Sequence, residues 1–215
     1  MRGDATVKAS SRRARRTAAV VWSAALVTGM LTAGGTVLAS VQSACTPGLA
    51  AISSQPATGY VHERGYIRSF DCTPIVFNLF EPTDATASHP VYTIMEGPGW
   101  GGAGATSPDS QLIGNDYAEL TWDPRGFGQS GGRAQVDSPD AEGKDASALI
   151  SYVLDRPEIA KDTQGVSPAY SAGDTYGEPA VGMTGVSYGG GIEFATAAFD
   201  SRVKAMVPGW AWNNL

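Results

Sequence analysis

Histidine and cysteine are both scarce, with two of each in 215 residues. His62 and His89 are well separated in the chain, and so are Cys45 and Cys72. Zinc sites need closely spaced ligand pairs, so no metal or other cofactor is expected. Basic residues are scarce too once the first 44 positions are passed. Arg2, Lys8, Arg12, Arg13, Arg15 and Arg16 stand there beside one acid, Asp4, which leaves nine cations against twenty acids and a net charge of −11 for the remainder. A domain so acidic repels polyanions, which excludes nucleic acid and anionic lipid surfaces as expected partners.

A second absence is local. No Asp, Glu, Lys or Arg occurs from Thr17 to His62. A cationic head, an apolar stretch and small residues near Ala39 and Ala44 describe an export signal over residues 1–44, implying a secreted or cell-envelope protein. The competing reading is an uncleaved membrane anchor over residues 17–41, since that stretch approaches the roughly 20 residues a span needs. Its glycines and hydroxyl residues make it a mediocre span. The arginine pairs at 12–13 and 15–16 fit a twin-arginine signal or an ordinary basic head. In an oxidising compartment Cys45 and Cys72 can close a loop of about 27 residues, worth about 3 kcal/mol on the chain-entropy model; two unpaired thiols are the alternative. Residues 45–59, rich in Ser, Ala, Gly and Pro, read as a linker.

What remains, residues 60–215, alternates strands and helices. Residues 60–70 and 74–82 read as an antiparallel hairpin. Residues 89–97 form a third strand running into a glycine cluster, and 117–126 a fourth followed by the loop "DPRGFGQSGG". A helix follows, capped by Asp137 or Ser138, with Pro139 in its first turn, an apolar face at Ala148, Leu149, Tyr152 and Val153, and Pro157 beyond its end. Residues 162–179 read as an exposed excursion, 180–186 as a buried strand, 187–199 as a helix and 203–212 as a last strand. Strands spaced by helices imply an α/β fold with a largely parallel sheet covered on both faces.

The chemistry sits in "VGMTGVSYGGGIEF" (181–194). A serine between an apolar strand and a helix, flanked by Gly185 and Gly189, is the pattern of a nucleophile on a sharp strand-to-helix turn. The small flanking residues relieve crowding at the apex, and the helix beginning at Ser187 directs free amides at developing negative charge. The Tyr188 amide is one oxyanion donor. The other comes from "GPGWGG" (97–102): Pro98 has no amide hydrogen, so Trp100 takes the donor position. Asp123 and Arg125 are read as structural groups fixing loops, and Glu96, Asp145 and Glu193 as solvated or helix-end carboxylates.

Together "GPGWGG", "LTWDPRGFGQSGG", "DSPDAEGKD", "GVSYGGG" and "VPGWAWNNL" resemble, in order and spacing over residues 60–215, the X-Pro dipeptidyl-peptidase and cocaine-esterase-like branch of the α/β-hydrolases. The resemblance implies a serine hydrolase acting on a small ester or peptide substrate, with Ser187 as nucleophile and the Tyr188 and Trp100 amides as oxyanion hole. Relatives carry His where Pro98 stands and Gly where Cys72 stands. Their acid and histidine follow the serine on later strands. Here both histidines precede Ser187, and Asp200, the one Asp after it, comes before the last strand rather than after it. No triad acid or histidine is assigned, and the fold is expected to lack its C-terminal strands. Two functions are therefore carried: a truncated serine hydrolase, and a catalytically inactive exported protein with a binding role or none.

Overall fold

A computed structural model describes residues 46–161 and 180–212. The proposed export segment, Cys45 and the excursion at 162–179 lie outside the described residues. Seven strands form one sheet: β1 (Gly48–Pro56), β2 (Tyr60–Arg68), β3 (Pro74–Pro82), β4 (Tyr92–Gly97), β5 (Tyr117–Trp122), β6 (Val181–Val186) and β7 (Val203–Gly209). Helices α1 (Ser110–Gly114), α2 (Lys144–Leu154) and α3 (Tyr188–Ala197) lie between them, and a π-helical turn at Pro139–Gly143 leads into α2. Ser138 rather than Asp137 caps that turn, its hydroxyl accepting from the Asp140 amide.

The strand order is β1-β2-β3-β5-β4-β6-β7. β1, β2, β3 and β5 pair antiparallel in succession, and β5, β4, β6 and β7 are mutually parallel. From β4 the chain crosses to β5 on one side, and from β6 to β7 on the other. Right-handed crossovers of opposite sense put α1 on one face and α2 and α3 on the other. The reversal falls between β4 and β6, and a crevice forms at such a switch point, beyond the strands' C-terminal ends.

In the parallel half Met95 of β4 is in register with Leu120 of β5 and Met183 of β6, and all three are buried. Covered on both faces, these strands read as near-continuous apolar runs, which is why the sequence reveals them. Leu149, Ile150 and Val153 of α2 close one side of this core.

The linker reading of residues 45–59 is corrected, because residues 48–56 are a strand paired along β2 from Gly48↔Arg68 to Pro56↔Val61. Residues 53–59 are exposed. An edge strand held by backbone hydrogen bonds needs no apolar alternation, so small polar residues conceal it. The third strand begins at Tyr92, not at 89, because His89 closes a two-way backbone bridge with Thr86 and Pro90 has no amide to donate.

Candidate active site

Ser187 has φ +59° and ψ −116°, in the left-handed half of backbone space that L-residues rarely adopt. Its amide donates to Gly209 O at 2.7 Å, and its carbonyl accepts from Gly191 N at 3.0 Å. Strand β6 thus passes into α3 with no loop between. Three backbones meet beneath the turn. A Cβ on Gly185 would stand 2.7 Å from Gly189 C and 2.9 Å from Gly97 O, and one on Gly189 would collide with the Gly97 carbonyl. The glycines around the serine are a steric requirement, and their third partner is the end of β4. Among the described residues the Ser187 hydroxyl has no hydrogen bond.

Trp100 follows β4 in a turn closed by Gly102 N donating to Gly99 O at 2.9 Å, with Gly101 at φ +76°. The Trp100 indole meets Tyr188 and Phe127 edge-on, each at 5.0 Å between centroids, and Tyr188 lies 6.4 Å from Trp212. Tyr188 is the first residue of α3, so its amide has no acceptor within the helix. The structure therefore brings Trp100, Tyr188 and Ser187 to the switch point between β4 and β6.

Asp123 and Arg125 brace this region. Asp123 Oδ1 accepts from Gly104 N at 2.9 Å and Oδ2 from Gln129 N at 2.8 Å, tying the loops after β4 and β5. Arg125 grips Asp145 of α2 through Nε and Nη2, both at 2.7 Å, and reaches Asp71 at 3.1 Å. Asp145 also accepts from Ser69 at 2.5 Å. Asp145 and Glu193 are read from sequence as solvated or helix-end carboxylates; Asp145 does stand in the first turn of α2 but is buried, and Glu193 is a buried carboxyl within α3, which corrects the reading for both as solvated groups. Position near a helix end suits solvent or the dipole equally, and only the approach of another segment decides burial. Glu193 Oε2 accepts from Val207 N at 2.9 Å while Oε1 has no partner among the described residues, and desolvation pushes the carboxyl up to about 7. Cys72 is disulfide-bonded and sits at φ +68°, a conformation glycine adopts freely.

Neither histidine reaches the serine. His62 lies on β2, stacked on Phe80 at 4.5 Å with Nε2 3.0 Å from Asn78 Oδ1. His89 lies before β4, at the opposite end of the parallel strands from Ser187. Its ring and the carboxylates of Asp84 and Asp116 come within 4.8 Å of one another, all exposed. Asp200 is engaged by Arg202 and Ser147, both at 2.6 Å, and the Arg202 bonds hold its carboxyl below the usual range against the opposing cost of burial.

Two carboxyls that the sequence places only at a helix start, Asp137 and Glu142, lie near the elbow. Tyr188 OH donates to Glu142 Oε1 at 2.9 Å, and burial together with Glu142 raises the phenol above its ordinary range. Asp137 is buried at both carboxyl oxygens. Tyr188 and Glu142 are 46 positions apart, and no local pattern marks such a pairing.

A model of the X-Pro dipeptidyl-peptidase (S15 family) matches residues 71–215. No curated protein matches the sequence. Among solved structures, the acetyl xylan esterase from Paenibacillus sp. R4 is similar over 78% of this chain and 55% of its own, with 19% identity and a TM-score of 0.60. Acetyl xylan esterase 1 from Thermoanaerobacterium sp. JW/SL YS485 is similar over 78% and 54%, with 18% identity and a TM-score of 0.61. A CocE/NonD family hydrolase from Staphylococcus aureus is similar over 72% and 28%, with 19% identity and a TM-score of 0.54. These likenesses share the α/β-hydrolase fold, and the chain spans about half the length of the two esterases.

Proposed function

Since this chain belongs to the X-Pro dipeptidyl-peptidase family, we propose that it carries the nucleophile and oxyanion hole of a serine hydrolase acting on an ester or prolyl peptide bond. The observation that carries this reading is the backbone of Ser187, held at positive φ at the end of a buried strand with its hydroxyl making no cap hydrogen bond among the described residues. A non-glycine residue persists there only where the surroundings over-determine it, and such residues cluster at active sites. In the proposed reaction Ser187 Oγ loses its proton to a base and attacks the substrate carbonyl carbon. The Trp100 and Tyr188 amides hold the resulting oxyanion, the leaving group departs with a proton, and water releases the acyl group as an acid.

The base and its acid are proposed to lie in polypeptide beyond these 215 residues. Three observations support this: both histidines precede Ser187, Asp200 is engaged elsewhere, and the esterases of like fold are about twice as long. Val207 and Met206 of β7 are exposed, as expected of a strand on which further sheet would pack. The basic head and apolar stretch of residues 1–44 support export.

A fluorophosphonate probe tests the assignment. A gene product extended past Leu215 is expected to label at Ser187, Ser187→Ala to abolish labelling, and the 215-residue chain to label at least a hundredfold more slowly, since a serine without its base is a poor nucleophile. An extended product that folds, contains a downstream Asp and His, and still does not label would favour the inactive exported protein.

A further inference from the structure

We propose that Asp137 is a positioning residue for the elbow helix, keeping the first turn of α3 in place only while its carboxyl carries a proton. Both carboxyl oxygens are buried, and neither has a hydrogen-bond partner among the described residues. The carboxyl packs on Gly191 so closely that a Cβ there would overlap Oδ2. Gly191 is the residue whose amide closes the helical turn on the Ser187 carbonyl, at 3.0 Å. The contact therefore falls one turn beyond the nucleophile.

The surroundings decide whether Asp137 holds a proton. Glu142 accepts from Gln135 N at 2.6 Å, Ser138 N at 3.0 Å and Tyr188 OH at 2.9 Å, so the backbone donors on either side of Asp137 in sequence are taken by Glu142. The Asp137 carboxyl accepts none among the described residues. Burial with no hydrogen-bond donor, and next the Glu142 charge, disfavours the ionised form of Asp137. The titratable groups facing Asp137 are Glu142 from the π-helical turn and Tyr188 from α3. Among the described residues no Lys, Arg or His pairs with either acid. Burial, and next the Glu142 charge, push Asp137 up to about 7. Val136 and Asp137 are both at positive φ, +57° and +59°. Consecutive strained residues keep such a conformation only when packing imposes it.

Above neutral pH a second negative charge is thus forced against Glu142 and the Gly191 turn. The turn that presents the Tyr188 amide then loosens, and any hydrolysis at Ser187 falls with it. The effect on hydrolysis rests on the function proposed above; the positioning itself does not.

Amide hydrogen exchange over residues 187–192, corrected for intrinsic rates, tests the proposal in the 215-residue chain. Protection is expected to fall about fivefold between pH 7 and 8, because the neutral fraction of an acid titrating near 7 drops over that unit from about one half to about one eleventh. Asp137→Asn, of the same shape without the charge, and Asp137→Ser, smaller and neutral, are each expected to keep constant protection across that range. Wild-type protection that stays constant from pH 6 to 8, or the same fall in both variants, would overturn the proposal. Fluorophosphonate labelling of the extended product separates the two ideas. The expected exchange pattern without labelling supports the positioning role and sinks the hydrolase reading; labelling with flat exchange does the reverse.

Discussion

Ser187 occupies a backbone conformation costing on the order of 1–3 kcal/mol for a residue with a Cβ. Glycine reaches the same φ and ψ without a clash, although it loses more freedom on folding. Ser187→Gly is therefore expected to raise the unfolding free energy by about 1 kcal/mol while deleting the proposed nucleophile. Urea denaturation of the purified chain measures this, and a lower midpoint for the variant would contradict the strain argument. The serine and its two flanking glycines were legible in the sequence because their constraint is local, a Cβ too many on a tight turn. Gly97 was not, since nothing near residue 97 reveals that its carbonyl will meet Gly189. Asp137 was seen only as a possible helix cap, because the burial that gives it a second meaning comes from α3.

Arg125 shows the same limit for whole elements. The helix α2 was readable from its Pro139 entry and apolar stripe, and the loop after β5 from its glycines. What joins them is a guanidinium fork on Asp145, with side chains 6% and 2% exposed. Removing one partner of such a pair leaves a buried charge unmatched, so Asp145→Ala is expected to cost about 3–5 kcal/mol. Asp71, whose side chain is 36% exposed in its contact with the same arginine, is expected to lose at most about 1 kcal/mol on mutation to Asn. Equal costs for the two, by chemical denaturation, would show that burial does not set the hierarchy. A charged pattern read along one helix suggests solvent or the helix dipole, and it takes a second element to turn a surface acid into an internal one.

At the scale of the whole molecule, burial raises four carboxyls among the described residues to about 7: Glu81, Glu119, Asp137 and Glu193. Each prefers its neutral form when folded and titrates near 4 when unfolded. The folded chain thus holds more protons between about pH 4 and 7, and stability falls as pH rises through that window. Asp71, Asp140 and Asp200 are shifted the other way, and their contribution is lost only at lower pH. The melting temperature is expected to be higher at pH 5.5 than at pH 8 by at least about 2–4 °C, the shift 1 kcal/mol makes in a domain of this size; a melting temperature that rises with pH would refute it. At this scale the sequence alone determined the alternation of strands and helices, the serine elbow and the family resemblance, because hydrophobic period and turn sterics act between near neighbours. Only the tertiary structure decided that β1 joins the sheet, that Trp100 and Ser187 meet where the crossovers reverse, and that acids scattered along the chain become buried. Those outcomes depend on which distant backbones pack together, and burial sets the energy of a charge only once that packing exists.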